Sequence, residues 1–85
     1  MALEVASSNE VLRIATSEVF ARWVAAVTAE LTAAGVTADA AEDLGTVLIE
    51  LLEGGFLLCR AAKDTRALAA AGKAAVALVG AHLTP

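Results

Sequence analysis

GTVLIELLEGGFLLCRAA, residues 45–62, is apolar over more of its circumference than a surface helix can be. At about 100° per residue, Gly54, Val47, Leu58, Leu51, Leu44, Ala62, Gly55, Leu48, Cys59, Leu52, Phe56 and Ile49 fill an arc of roughly 220°. An amphipathic helix covers one core with a stripe of about 100°. The surplus must meet another surface. In a chain of 85 residues, a second copy of the same chain is the expected partner.

Composition points the same way. Hydrophobic residues make up 59% of the chain and mean hydropathy is +0.73, against a usual soluble share of about 45–50%. A domain this small buries only about 60% of its unfolded surface. Aromatics are 4%, so the core is aliphatic and thin. Oligomerisation, or docking onto a further part of a longer protein, would cover what remains wet.

A membrane would also take up apolar surface, but Glu50 and Glu53 interrupt the most apolar stretch, and each central carboxylate costs about 3 kcal/mol on insertion. MALEVASSNE has neither the positive region nor the apolar run of a signal peptide. The chain reads as soluble and cytoplasmic, with no membrane partner. Net charge is −4, and Arg13, Arg22, Arg60, Lys63, Arg66 and Lys73 form no stripe able to neutralise several phosphates. The single cysteine excludes an internal disulfide.

Three helices follow from caps and periodicity. Ser7 to Glu10 fits a capping box opening the first helix, with Leu12, Val19, Phe20, Trp23, Val24, Val27 and Leu31 on one face. Glu18 and Arg22 are placed to pair on the other side. Gly35 suits the end of this helix. Thr37 can cap a second helix running to about Lys63, with Asp39, Glu42 and Asp43 near its positive end. Thr65 can cap a third, from Arg66 to about Leu83, bearing Leu68, Ala71, Gly72, Ala75, Val76, Leu78, Val79 and Leu83 on its apolar face. Nothing alternates with the period of a strand. The expected fold is one all-α domain over residues 1–85, three antiparallel helices dimerising through a four-helix bundle.

The inventory is poor for catalysis. His82 is the single histidine and falls on an apolar face, where it reads as a core or interface residue. Cys59 has no histidine on its own helix face. Glu50 and Glu53 are three apart but lack the ExxH partner of a carboxylate metal site. No nucleophile–base pair is visible, no metal or cofactor is expected, and an enzyme is not the reading. Gly54 and Gly55 are more informative. Each costs a helix interior about 1 kcal/mol relative to alanine. A kink or a close helix crossing could offset that, and their place among Leu51 and Leu58 favours a crossing. Phe20 and Trp23 can fill the core, or present aromatic surface and an indole N–H to a ligand.

The run VFARWVAAVTAELTAAGVTADAAEDLGTVLIELLEGGFLLCRAAKDTRALAAAGKAAVALV resembles the C-terminal regulatory half of TetR-type transcriptional regulators. The likeness lies in an F-x-x-W helix, an A-A-G-V loop and an L-E-G-x-x-x-L-x-R-A helix in that order, and it covers about residues 10–80. The resemblance implies a domain that binds a small molecule and dimerises through its last two helices. An N-terminal helix-turn-helix would hold operator DNA. The helix-turn-helix, the earlier regulatory helices and two prolines common in the family are missing here. The expectation is therefore a fragment of a repressor, working as its effector-sensing and dimerisation portion. The alternative is a purely structural helical dimerisation module with no ligand.

Residues follow from these readings. Leu51, Gly54, Gly55, Leu58 and Ala62 should face the two-fold axis with Leu68, Gly72, Ala75, Val76 and Val79 of the third helix. Phe20, Trp23 and Val27, closed by Ile49, Glu53 and Phe56 on the side away from that face, are the candidate effector site. Its chemistry suits an apolar ligand with a hydrogen-bond donor or a cationic group.

Overall fold

Two left-handed residues divide the chain into its helices. The computed structural model describes residues 2–83, with side chains from Asn9 onward. It forms α1 (Ala2–Ala33), α2 (Ala38–Ala62) and α3 (Arg66–Leu83), with no strand among the described residues. Gly35, at φ 112°, turns the chain after α1. Around it Val36 N–H donates to the Leu31 carbonyl at 3.0 Å and Gly35 N–H to that of Thr32 at 3.1 Å. That is a Schellman ending, and its apolar clasp is Leu31 on Val36, both buried. Lys63, at φ 56°, does the same for α2 without glycine's freedom, its N–H bonded to the Cys59 carbonyl.

α2 and α3 begin where the sequence placed them, after Thr37 and at Arg66, whereas the start of α1 and the capping bonds differ. α1 is already helical at Ala2 and runs through Ser7 and Ser8, so Ser7 is not an N-cap. Leu3, Glu4, Val5 and Ala6 accept a helix, and no proline or glycine stands before Ser7 to stop one. Glu10 instead binds Arg13, with Arg13 Nε donating to Oε2 at 3.0 Å. The guanidinium holds the Glu10 carboxyl below its ordinary range. The expected Glu18–Arg22 pair does not form: Glu10–Arg13 is the salt bridge among the described residues. Thr37 occupies the N-cap of α2 but its hydroxyl makes no cap bond. At α3 the capping side chain is Asp64, whose Oδ1 accepts from Arg66 N–H at 3.1 Å. Cys59 Sγ accepts from Leu68 N–H at 3.4 Å, so a residue of α2 helps satisfy the first turn of α3.

α2 is central, with α1 packed on one flank and α3 on the other; α1 and α3 make no close backbone approach among the described residues. The core is small: Leu31, Val36, Ala41 and Leu44, with Val27, Ala40, Leu48 and Val79 against it. Two glycines set the spacing of the layer. A Cβ at Gly45 would lie 2.8 Å from Thr28 Oγ1 and 3.4 Å from the Val24 carbonyl, so α1 rides directly on α2 there. A Cβ at Gly55 would lie 3.0 Å from Leu68 Cδ2, which places the α2–α3 crossing at that residue. The close crossing expected of the Gly54–Gly55 pair therefore exists within one chain, through Gly55.

Three helices side by side make a slab of 55 × 31 × 13 Å. Its radius of gyration is 15.9 Å, against about 12 Å for a globule of this length. The accessible surface is 6261 Å², where a folded monomer of this mass would have about 4,700 Å². About 1,600 Å² more than a self-sufficient domain is thus left in contact with solvent. A single layer of helices has no second layer to bury its faces.

Candidate functional site

The seam between α1 and α2 opens into a crevice of about 290 Å³, lined by Phe20, Val24, Thr46, Ile49, Glu50 and Glu53. Helical spacing builds it. Phe20 and Val24 are one turn apart on α1, as are Ile49 and Glu53 on α2, and Thr46 and Glu50. The helices are antiparallel and touch most closely at Gly45, so the seam widens away from that contact toward Phe20 and Glu53. The Phe20 ring meets Trp23 edge to face, centroids 5.4 Å apart at 77°. That pairing orients Phe20 and leaves Trp23 44% exposed.

Of the six expected effector residues, the crevice brings together Phe20, Ile49 and Glu53. Trp23 joins through its contact with Phe20. Val27 opens on a different cavity of about 350 Å³, where it meets Leu48, Leu52, Leu68, Ala71 and Gly72 in the groove between α1 and α3. Ile49 reaches both cavities. Phe56 is about half exposed and lines neither. Val24, Thr46 and Glu50 line the crevice and were not anticipated. The signal was present for all three: Val24 lies i,i+4 from Phe20, Glu50 i,i+3 from Glu53, and Thr46 i,i+3 from Ile49.

A wider concavity, of about 670 Å³, shares Phe20 and Val24 with the crevice and runs along α1 beside Ser17, Ala21, Ala25, Thr28 and Glu42. Thr28 Oγ1 is buried without a hydrogen-bond partner against Gly45. Neither residue was singled out from the sequence, although Gly45 is as costly inside a helix as Gly54.

The residues expected at the two-fold axis divide into two groups. Gly55 and Leu68 are engaged with each other inside the chain, and Val79 packs on the core. Leu58 is 62% exposed and Val76 75% exposed; Ala62 and Gly72 are exposed as well, while Leu51, Gly54 and Ala75 are half-buried. A Cβ at Gly54 or Gly72 would meet nothing within 4 Å. The chain itself gives no steric reason for either glycine.

His82 is exposed rather than in the core, its Nδ1 2.8 Å from the Leu78 carbonyl. Cys59 is half-buried and occupied with Leu68 N–H. No group of three metal-ligating side chains comes together among the described residues. The helix long and apolar enough to cross a membrane by length and composition is α3, not α2. It packs along α2 through Leu68 and Ala71, and none of its residues is fully buried.

The description "Transcriptional regulator LmrA/YxaF-like, C-terminal domain", of the TetR type, matches residues 1–74. Comparison with curated proteins and with solved structures gives no match. The match takes in α1, α2 and the first half of α3, and with them every residue that lines the crevice. On that extent, the chain belongs to the C-terminal domains of LmrA/YxaF-like transcriptional regulators of the TetR type.

Proposed function

We propose that this domain is the effector-sensing and dimerisation part of a TetR-type repressor, which releases operator DNA when a small molecule binds. One observation carries the dimer. The surplus surface of about 1,600 Å² falls within the roughly 1,000–2,500 Å² that each subunit of an obligate dimer buries. Leu58 and Val76 are among the most exposed large apolar side chains, and α2 and α3 together would pair with their copies as a four-helix bundle. Operator DNA would be held by a helix-turn-helix domain of the full regulator, working in the cytoplasm.

Two outcomes test the division of labour. With a net charge of −4 and no basic stripe, the 85-residue chain should not shift duplex DNA in a mobility assay even at low salt. Salt-sensitive binding to random duplex would contradict this. In the full regulator, Trp23→Ala and Glu53→Gln should each weaken effector-induced release of operator DNA about tenfold. Helix content should be unchanged by circular dichroism. Unchanged release in both variants would move the effector site away from the α1–α2 seam. A purely structural dimerisation module would release DNA to no small molecule.

A further inference from the structure

We propose that α1 is a hinged lever, clasped at its C-terminal end and held along α2 by a contact between Thr28 and Gly45 that opens. α1 runs from Ala2 to Ala33 with no glycine or proline inside it, so nothing in its sequence favours a kink. Its hold on the rest of the chain is uneven. Leu31 is its one buried residue among those with described side chains, and it clasps Val36 across the Gly35 turn. Val19, Phe20, Val24, Val27 and Thr28 are half-buried, and Asn9 to Glu18 are exposed throughout. α3 makes no close backbone approach to α1 among the described residues, so α2 alone holds the helix down.

The contact is costly when closed. Thr28 Oγ1 is buried against Gly45 with no hydrogen-bond partner. Thr32 and Thr46, also inside helices, donate to the carbonyls of Thr28 and Glu42 at 2.9 and 3.0 Å. Thr28 therefore loses its hydration in the closed arrangement and recovers nothing for it. Parting the helices there by one water diameter, about 3 Å, lets solvent bond the hydroxyl. Little apolar surface is released, because every α1 residue on the seam except Leu31 is already partly wet. Leu31 stays on the core, beside the pivot, so the opening is local and leaves the helices formed. At 1.5 Å per residue, Thr28 lies about 8 Å from the end of α1 and Ala15 about 27 Å. A movement of about 3 Å at Thr28 thus becomes about 10 Å at Ala15. Phe20 and Val24 ride on the lever while Ile49 and Glu53 stay on α2. The crevice changes volume with the swing, whether or not a small molecule uses it.

The test is a distance measurement by pulsed electron paramagnetic resonance between spin labels on α1 and α3. Ala15→Cys and Ala70→Cys carry the labels, both at exposed positions, and Cys59→Ser removes the single native thiol. Dilution into unlabelled chain restricts the reading to distances within one chain. The parent should show two distances, the longer by about 10 Å. Thr28→Ala removes the unpaired hydroxyl and should lower the longer-distance population at least about fivefold. Gly45→Ala places a methyl against α1 and should make the longer distance the major one, with helix content unchanged by circular dichroism. A single distance in the parent would overturn the lever. Two distances whose populations Thr28→Ala leaves unchanged would remove Thr28 as the latch and overturn the proposal equally. Neither result bears on whether the crevice binds an effector, which the release assay in the full regulator decides separately.

Discussion

Gly45→Val is expected to lower the stability of the chain by about 3 kcal/mol or more, the range in which overpacking passes into rearrangement. A Cβ at this position lies 2.8 Å from Thr28 Oγ1, 3.4 Å from the Val24 carbonyl oxygen and 3.5 Å from the Thr28 amide nitrogen. The last two are backbone atoms of α1 and cannot rotate aside, so the helices must part. Parting them exposes Leu31 and Leu44, half of a four-residue core. A small core has no reserve against such a loss. Gly45→Ala carries the smaller version of the clash, against a gain of about 1 kcal/mol in helix propensity, and should be net destabilising. Thr28→Ala removes both the nearest atom and a buried hydroxyl without a partner. The double variant Gly45→Ala, Thr28→Ala should therefore recover most of the loss. The measurement is urea denaturation of the four species at one protein concentration, read as a double-mutant cycle. Strict additivity, or a Gly45→Ala variant more stable than the parent, would remove the helix contact assigned to this glycine.

Much of the fold was legible because helices announce themselves by period and punctuation. Gly35 ended α1 as its position implied, and the acids after Thr37 marked the start of α2. The start of α1 was misread because a capping pattern at Ser7 does not stop a helix that the preceding residues can continue; the cap of α3 was misread because two neighbouring residues could serve. Asp64 and Thr65 can both accept from the first turn of α3, and only the turn geometry at Lys63 puts Asp64 Oδ1 within reach of Arg66 N–H. The wide apolar arc of α2 was legible too, but not how it is shared out. Periodicity says that a helix is wetted on too little of its surface, and not which neighbour lies at each angle. Gly55 was assigned to an intermolecular crossing and proves to admit Leu68 of the same chain. Gly45 was passed over because it has one glycine's worth of signal rather than two. At the crevice, Phe20, Ile49 and Glu53 could be chosen from helical angle alone. Separating Val27 from them required knowing that α3 closes a second groove across α2, with Val27 in its α1 wall.

Gly54→Leu and Leu58→Glu should each abolish association while leaving the helices formed. The expected loss is about 3 kcal/mol or more of dimer stability, because a two-fold assembly carries every substitution twice. Gly54 is the sharper probe. A glycine inside a helix costs about 1 kcal/mol relative to alanine, and inside this chain a Cβ there would touch nothing within 4 Å. If only the monomer mattered, Gly54→Ala would stabilise the protein. If a copy of the chain crosses at Gly54, added side-chain bulk drives the two helices apart. Leu58→Glu, and Val76→Glu on α3, would instead bury a carboxylate without a partner at the same face. Ala70→Glu, on the side of α3 turned away from Leu68, adds the same charge as a control and should leave association unchanged. Sedimentation equilibrium across the micromolar range reads the outcome, with circular dichroism to check that helix content is kept. The parent chain should sediment as a dimer, and the Gly54, Leu58 and Val76 variants as monomers. A parent that sediments as a monomer, or a Leu58→Glu chain that still sediments as a dimer, would mean that the surplus apolar surface is covered by something other than this face of a second copy.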